Sequence, residues 1–327
     1  MTMSISFGLR SLVLTLLAVC VGVLPNAGAL HAGAQSDEPE GRIAYIRDGN
    51  VWVWSPDGAD PLTSPGDARD PTWSPDGDQL LFVQNGGSYS NLVLHDVEEE
   101  RSVRITDNEP YVESGSPDYV ASSSWAIDPS WSASGSIAFA SDKGSTDELM
   151  QLWMMASVSD DPFVAPYDGG DAGSIEQIAL NADGELAAYT VLATGGELGG
   201  ITYVAVRDLD TGTTTPIAAG PLGAYDPAIA PDDAHVVVSI RDNAGMSDLW
   251  IVDLQTGVAI QLTEDEQAAN AVWSPDGAWL AWMSPNDRSF DIWTARIDPE
   301  DGELISDPIR IVEESGVDAT SGLSWIQ

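Results

Sequence analysis

The chain has 327 residues, 43% hydrophobic and 20% charged, enough apolar material for a buried core and too much for a wholly disordered chain. Only 12 Lys and Arg stand against 52 Asp and Glu, a formal net charge of -40. A field of that sign repels phosphate backbones and anionic bilayers, so nucleic acid is excluded as a partner.

Arg10 is the only charge before Asp37, and it precedes an apolar run over residues 12–24 that Pro25 stops. The run is too short to span a bilayer and suits the core of a secretory signal. Small-residue cleavage patterns end at Ala29 and Ala34. The expected organisation is a signal peptide over residues 1–34, a short linker over 35–41 and one domain over 42–327, with no membrane span once the signal is removed. The product is then secreted or periplasmic. Lipid attachment at Cys20 is the alternative, disfavoured by the bulky Val19 before it. Cys20 is the one cysteine, so the processed chain has no disulfide and no thiolate metal site.

Short apolar strands at residues 42–46 and 51–54 open the domain. Trp54-Ser55-Pro56-Asp57-Gly58 follows, and its letters return in Pro71-Thr72-Trp73-Ser74-Pro75-Asp76-Gly77 and Ala271-Val272-Trp273-Ser274-Pro275-Asp276-Gly277. Looser copies are Pro129-Ser130-Trp131-Ser132-Ala133-Ser134-Gly135, Ile178-Ala179-Leu180-Asn181-Ala182-Asp183-Gly184 and Pro227-Ala228-Ile229-Ala230-Pro231-Asp232-Asp233, and Gly322-Leu323-Ser324-Trp325 closes the chain. The tryptophan position therefore falls at 73, 131, 180, 229, 273 and 325. The copy at Trp54 lies too close to Trp73 to be a separate unit and reads as a hairpin turn.

Each copy precedes a short apolar strand, a polar gap, a second strand, an Asp- and Gly-rich turn and a third strand. Four strands per unit, repeated six times, predict an all-β, six-bladed β-propeller of four-stranded antiparallel blades. Residues 42–46 fit the second strand of a blade, so a C-terminal strand over 323–326 is expected to complete the first blade and close the ring.

The Pro-x-Trp-Ser-Pro-Asp-Gly turn, with strands like Leu280-Ala281-Trp282 and Asp291-Ile292-Trp293, resembles the TolB-type, WD-repeat-like propeller repeat. The resemblance runs from Arg42 to the end and implies a six-bladed propeller of the bacterial cell envelope. TolB carries an α/β domain before its propeller. Here only a few residues lie between the signal and the first blade, so the propeller is expected without that domain.

Eight tryptophans recur at fixed places: Trp73, Trp131, Trp273 and Trp325 in the first strands, and Trp52, Trp153, Trp250 and Trp293 further along the blades. Packing between blades accounts for them. Trp125, in the longest insertion (residues 107–127), is the expected exposed aromatic. That insertion and those at 142–150 and 195–200 are expected to shape a binding surface. Asp208-Leu209-Asp210-Thr211-Gly212 looks like a calcium loop but lacks a downstream glutamate and reads as a hairpin turn.

Three residues before each marker stand Asp70, Asp128, Gln177, Asp226, Asn270 and Gly322. If the first strands line the axis, these positions share one height at the channel mouth. The first five are the candidate ligand-binding residues. They could hold a cation, calcium being the candidate, or cationic groups of a partner. The plainer reading is that each caps local backbone amides.

Catalysis has little support. No Gly-x-Ser-x-Gly elbow, His-Glu-x-x-His pair or phosphate-cradling loop occurs. His235 is expected half-buried in a strand and His95 at the surface. The function expected is thus a non-catalytic, monomeric binding scaffold without a cofactor, holding a protein or small ligand at the channel mouth. Two alternatives stand beside it: a propeller hydrolase or lyase using channel carboxylates with a divalent cation, and a TolB-like envelope assembly factor.

Overall fold

The repeated turn forms because its serine, aspartate and glycine satisfy one another locally. Ser74 Oγ donates to Asp76 Oδ1 at 2.6 Å and accepts the Gln79 amide at 2.9 Å, while Gly77 takes φ +72° to close the corner. Ser274, Asp276 and Gly277 build the same turn with Trp279. Where the letters drift the chemistry persists: Asn181 Oδ1 accepts the amides of Glu185 and Leu186.

A computed structural model describes residues 38–64, 66–145, 149–165, 173–194, 199–264, 267–299, 301–313 and 316–327. The expected signal peptide lies outside the described residues. Apart from one 3₁₀ turn at Val120–Ser122, the described elements are β-strands. They form six antiparallel sheets, the blades of a six-bladed propeller. The innermost strands are Ser324–Ile326, Ala68–Trp73, Ala126–Trp131, Gly173–Leu180, Ala224–Ile229 and Ala269–Trp273, for blades 1 to 6 in that order. Blade 6 carries two short outer segments, Glu303–Leu304 and Ile309–Val312, both paired with Phe290–Asp298.

Blade 1 joins the two ends of the domain. Arg42, Ile43 and Ala44 pair with Ile326, Trp325 and Ser324. The early copy of the motif is a hairpin turn, with Ser55 opposite Gly58.

The core is six separate apolar clusters, one at each blade–blade junction. Alternation along each strand explains this. Ile43 and Tyr45 face blade 6, whereas Ala44 and Ile46 face blade 2. Leu80 and Phe82 pack on blade 1, and Leu81 and Val83 on blade 3. A strand buried on both faces reads as a continuous apolar run, as residues 80–83 do. Trp73, Trp273 and Trp325 fill such junctions, and Trp273 Nε1 donates to Ala228 O of the preceding blade at 3.1 Å.

Two expectations fail. Trp125 is half-buried, with its amide held by Asp142 Oδ1 at 2.8 Å, and the exposed aromatic of the insertion is Tyr111, 85% exposed. His95 is buried (4% exposed) rather than at the surface, because the third strand of a blade is covered on both sides by neighbouring blades. Its Nδ1 faces Ser102 Oγ at 3.0 Å, and burial pushes the imidazole below its ordinary pKa.

Candidate functional site: the channel ring

In five blades the innermost strand is broken by a bulge at the position three residues before the marker. The register slips between Arg69 and Thr72, Ile127 and Ser130, Glu176 and Ala179, Tyr225 and Ala228, and Ala269 and Val272. Each bulge contains a residue in left-handed backbone: Asp70 (φ +47°), Asp128 (+51°), Gln177 (+55°), Asp226 (+50°) and Asn270 (+53°). Asp and Asn tolerate this conformation better than other side-chain-bearing residues, which accounts for four of the five choices. Gly322, the sixth position, differs: it lies outside the left-handed region and outside any strand.

All five residues, with Gly322, line one cavity on the propeller axis, of about 430 Å³. The cavity extends from this ring toward the Ser-Pro-Asp-Gly turns, taking in Ser74, Pro75, Ser274 and Pro275. Its walls combine apolar residues, among them Pro71, Pro129, Ile178, Pro227, Ala271 and Leu323, with polar ones such as Thr72, Ser130 and Ser324. No described residue of the three insertions contributes to that lining. Parts of two insertions, residues 146–148 and 195–198, lie outside the described residues.

The ring residues reach to the next blade rather than capping their own. Asp128 Oδ2 accepts the Gln177 amide at 2.8 Å, and Gln177 Oε1 accepts the Asp226 amide at 3.2 Å and the Thr190 hydroxyl at 2.7 Å. Gln177 Nε2 donates to Asp226 Oδ1, and Asn270 Nδ2 to Ala319 O at 2.7 Å. The same contacts staple adjacent blades and leave Asp128 within electrostatic reach of both Asp70 and Asp226.

Burial raises the pKa of all three, Asp226 to about 6 and Asp70 well above the ordinary carboxylate value. Mutual repulsion adds to this, with Asp128 acting on both Asp70 and Asp226. Glu176, beside Gln177, is raised by burial and then by Asp128 and Asp226. The amides of Asp128 and Asn270 pull the other way, on Asp70 and Asp226 respectively. The site is therefore an acidic, partly desolvated floor beneath walls of mixed polarity.

Among the described residues, no three His, Cys, Asp or Glu side chains are grouped so as to hold a metal ion. Neither described histidine lines the cavity, since His95 is in a blade junction and His235 Nδ1 faces Asp232 Oδ2 at 2.7 Å. Asp208 Oδ1 accepts the Thr211 amide at 2.8 Å, as a turn residue does.

Known proteins agree with this architecture. The solved TolB of Acinetobacter baumannii superposes with a TM-score of 0.66 at 17% identity, over 87% of this chain and 66% of its own. A putative TolB of Agrobacterium tumefaciens gives 0.63 at 13% identity, over 88% and 99%. The fold is a TolB-like six-bladed propeller. Residues 56–141, which include all of blade 2, match the family described as dipeptidyl peptidase IV N-terminal region. A 76-residue stretch is 36% identical to tricorn protease homolog 1 of Streptomyces coelicolor, covering 22% of this chain and 7% of that protein. Among the described residues of this TolB-like propeller, no helix is long and apolar enough to cross a membrane.

Proposed function

We propose that this protein is an exported, non-catalytic binding scaffold of the cell envelope or periplasm that seats part of a protein or ligand in the channel cavity. The observation that carries the reading is the cavity itself: about 430 Å³, with apolar residues in its walls and polar side chains from five blades at its floor. That volume falls within the range of ordinary ligand sites, roughly 300–1,000 Å³. Asp128 and Asp226 are engaged with amides of neighbouring blades, and among the described residues no ring carboxylate meets a nucleophile or a histidine, so recognition suits them better than proton transfer. The TolB-like fold supports an envelope location, and the N-terminal apolar run supports export. The scaffold needs neither a resident cofactor nor a metal.

Gly322 supplies the test. A Cβ added there meets nothing within 4 Å, and its backbone is not left-handed, so Gly322→Phe fills the cavity without straining the chain. A partner captured from envelope extract by the native protein and lost with Gly322→Phe is the expected result. Capture unaffected by the plug, or turnover of a saccharide or peptide substrate, refutes the reading. Metal analysis and melting with and without EDTA test the cofactor statement, and N-terminal sequencing of exported protein locates cleavage after Ala29 or Ala34.

A further inference from the structure

We propose that the cavity recognises an alkylammonium group, its charge at the Asp70–Asp128–Asp226 ring and its methylene stem along the apolar residues of the walls; this deepens the scaffold reading and rests on it.

Asp70 carries the argument. It is 9% exposed, lines the cavity, and has no hydrogen-bond donor at bonding distance among the described residues. Its closest support is the Asp128 amide and the Ser321 hydroxyl, both near enough to favour the charged form. That hydroxyl is itself fully buried and unpartnered. The Ser239 hydroxyl is in the same position behind Asp226. Buried polar groups are ordinarily satisfied, so a cavity-lining carboxylate this deeply buried with neither oxygen in a hydrogen bond marks a site lacking a donor.

No protein cation supplies it. Arg69 and Arg241 are the bases that act on the ring, and both are engaged elsewhere. Arg69 Nη1 bonds Thr320 Oγ1 at 2.9 Å and lies 3.7 Å from Asp318, while the Arg241 guanidinium stacks 4.9 Å from the Tyr225 ring centre. Asp70, Asp128 and Asp226 thus line the channel with no cation of the described residues seated against them. An ammonium has three donors and no acceptor, matching a ring of acceptor oxygens. Pro71, Pro129, Pro227 and Ala271 offer the stem apolar surface.

Two sources carry this group, a free diamine and a lysine or amino terminus of a peptide. The probes are 1,5-diaminopentane and a lysine-containing tripeptide, with 1,5-pentanediol as the uncharged control. Titrations at pH 8 in about 0.3 M NaCl suppress association with the acidic surface. Tryptophan fluorescence reports occupancy, because Trp73, Trp131, Trp273 and Trp325 border the cavity. We expect saturable binding of at least one amine, none of the diol, and affinity weakened roughly tenfold or more in Asp70→Asn. The variant keeps almost all of the surface charge, so a loss points to the ring. If Asp70→Asn does not fold, Asp128→Asn serves. Absence of saturable binding by both amines, or binding unchanged in a folded ring variant, overturns the assignment. Partner capture that Gly322→Phe abolishes, together with no amine binding, sinks the ammonium assignment alone. Capture indifferent to the plug sinks the scaffold reading instead.

Discussion

Replacing Asp226 by asparagine isolates the cost of holding a charged ring inside the propeller. The folded-state pKa of Asp226 is about 6 against 3.8 for the free carboxyl, with burial the largest cause. At about 1.4 kcal/mol per unit, the ionised group costs the folded state roughly 3 kcal/mol at high pH. Because the folded pKa is raised, this stability is fully present below pH 3.8 and is lost as pH rises through 6. The sequence pI of about 4.1 makes the acid end impractical, so pH 5 to 8 is the working range, and it holds about half of the effect, near 1.5 kcal/mol. Asparagine removes the charge but leaves one acceptor for the Gln177 and Asn270 donors where there were two, a loss of about 1 kcal/mol that is independent of pH. Urea unfolding of both proteins at pH 5, 6, 7 and 8 gives the difference curve. It should move in favour of Asp226→Asn by about 1.5 kcal/mol across the range. Removing the charge also relieves Asp128, which adds in the same direction. A flat difference curve, or one moving against the variant as pH rises, refutes the claim that the ring carries a desolvated charge.

Three other outcomes are expected. Trp325→Ala empties the blade 6–blade 1 junction and loses the indole donor to Glu40 O at 2.9 Å, so chemical unfolding should show a loss of about 3–5 kcal/mol. Ser324→Ala leaves the Trp73 amide without the hydroxyl it meets at 3.0 Å, and the same assay should report about 1–2 kcal/mol. His95 has the opposite pH sign to Asp226: burial lowers its pKa, so its contribution is present above the ordinary imidazole value and fades as pH falls below it. His95→Gln should flatten the fall in melting temperature between pH 7.5 and 5, and a variant that parallels the native curve would show His95 to be accessible to protons when folded.

The architecture was legible because its turn chemistry is written once per blade. Ser74, Asp76 and Gly77 announce a corner, and the strand before each corner must be innermost if the chain is to leave the axis outward. Ring closure was legible for the same reason, since residues 42–46 lack a preceding inner strand and Trp325 lacks a following one. The ring positions could be found from their fixed offset before the marker. What their side chains do could not, because the partners of Asp128 and Gln177 lie 49 residues away in the next blade. His95 was misplaced because strands covered on both faces lose the apolar–polar alternation that signals exposure. Trp125 was misplaced because membership of an insertion says nothing about the residue adjoining a strand, here Ala126.

The ring also bears on why a propeller channel should be acidic at all. An innermost strand is an edge strand, and the amides along its free side need acceptors. Two belts answer that need. Asp128, Gln177 and Asp226 form one. The other comprises Ser324, Thr72 and Ser130, whose hydroxyls take the amides of Trp73, Trp131 and Leu180 in the following blades at 2.9–3.3 Å. At Ala179, Ala228 and Val272 the second belt has no hydroxyl, and between blades 5 and 6 the indole of Trp273 supplies a tie instead. Backbone demand explains polar side chains in the channel, but it does not explain their charge. Gln177 accepts the Asp226 amide with a neutral oxygen, and Asn270 ties Ala319 with a neutral amide. Amides at Asp128 and Asp226 would meet the same need without desolvating anions, and Asp70 meets no amide at bonding distance among the described residues. The carboxylates therefore cost stability that stapling the blades does not require, and a cation entering the cavity would offset that cost.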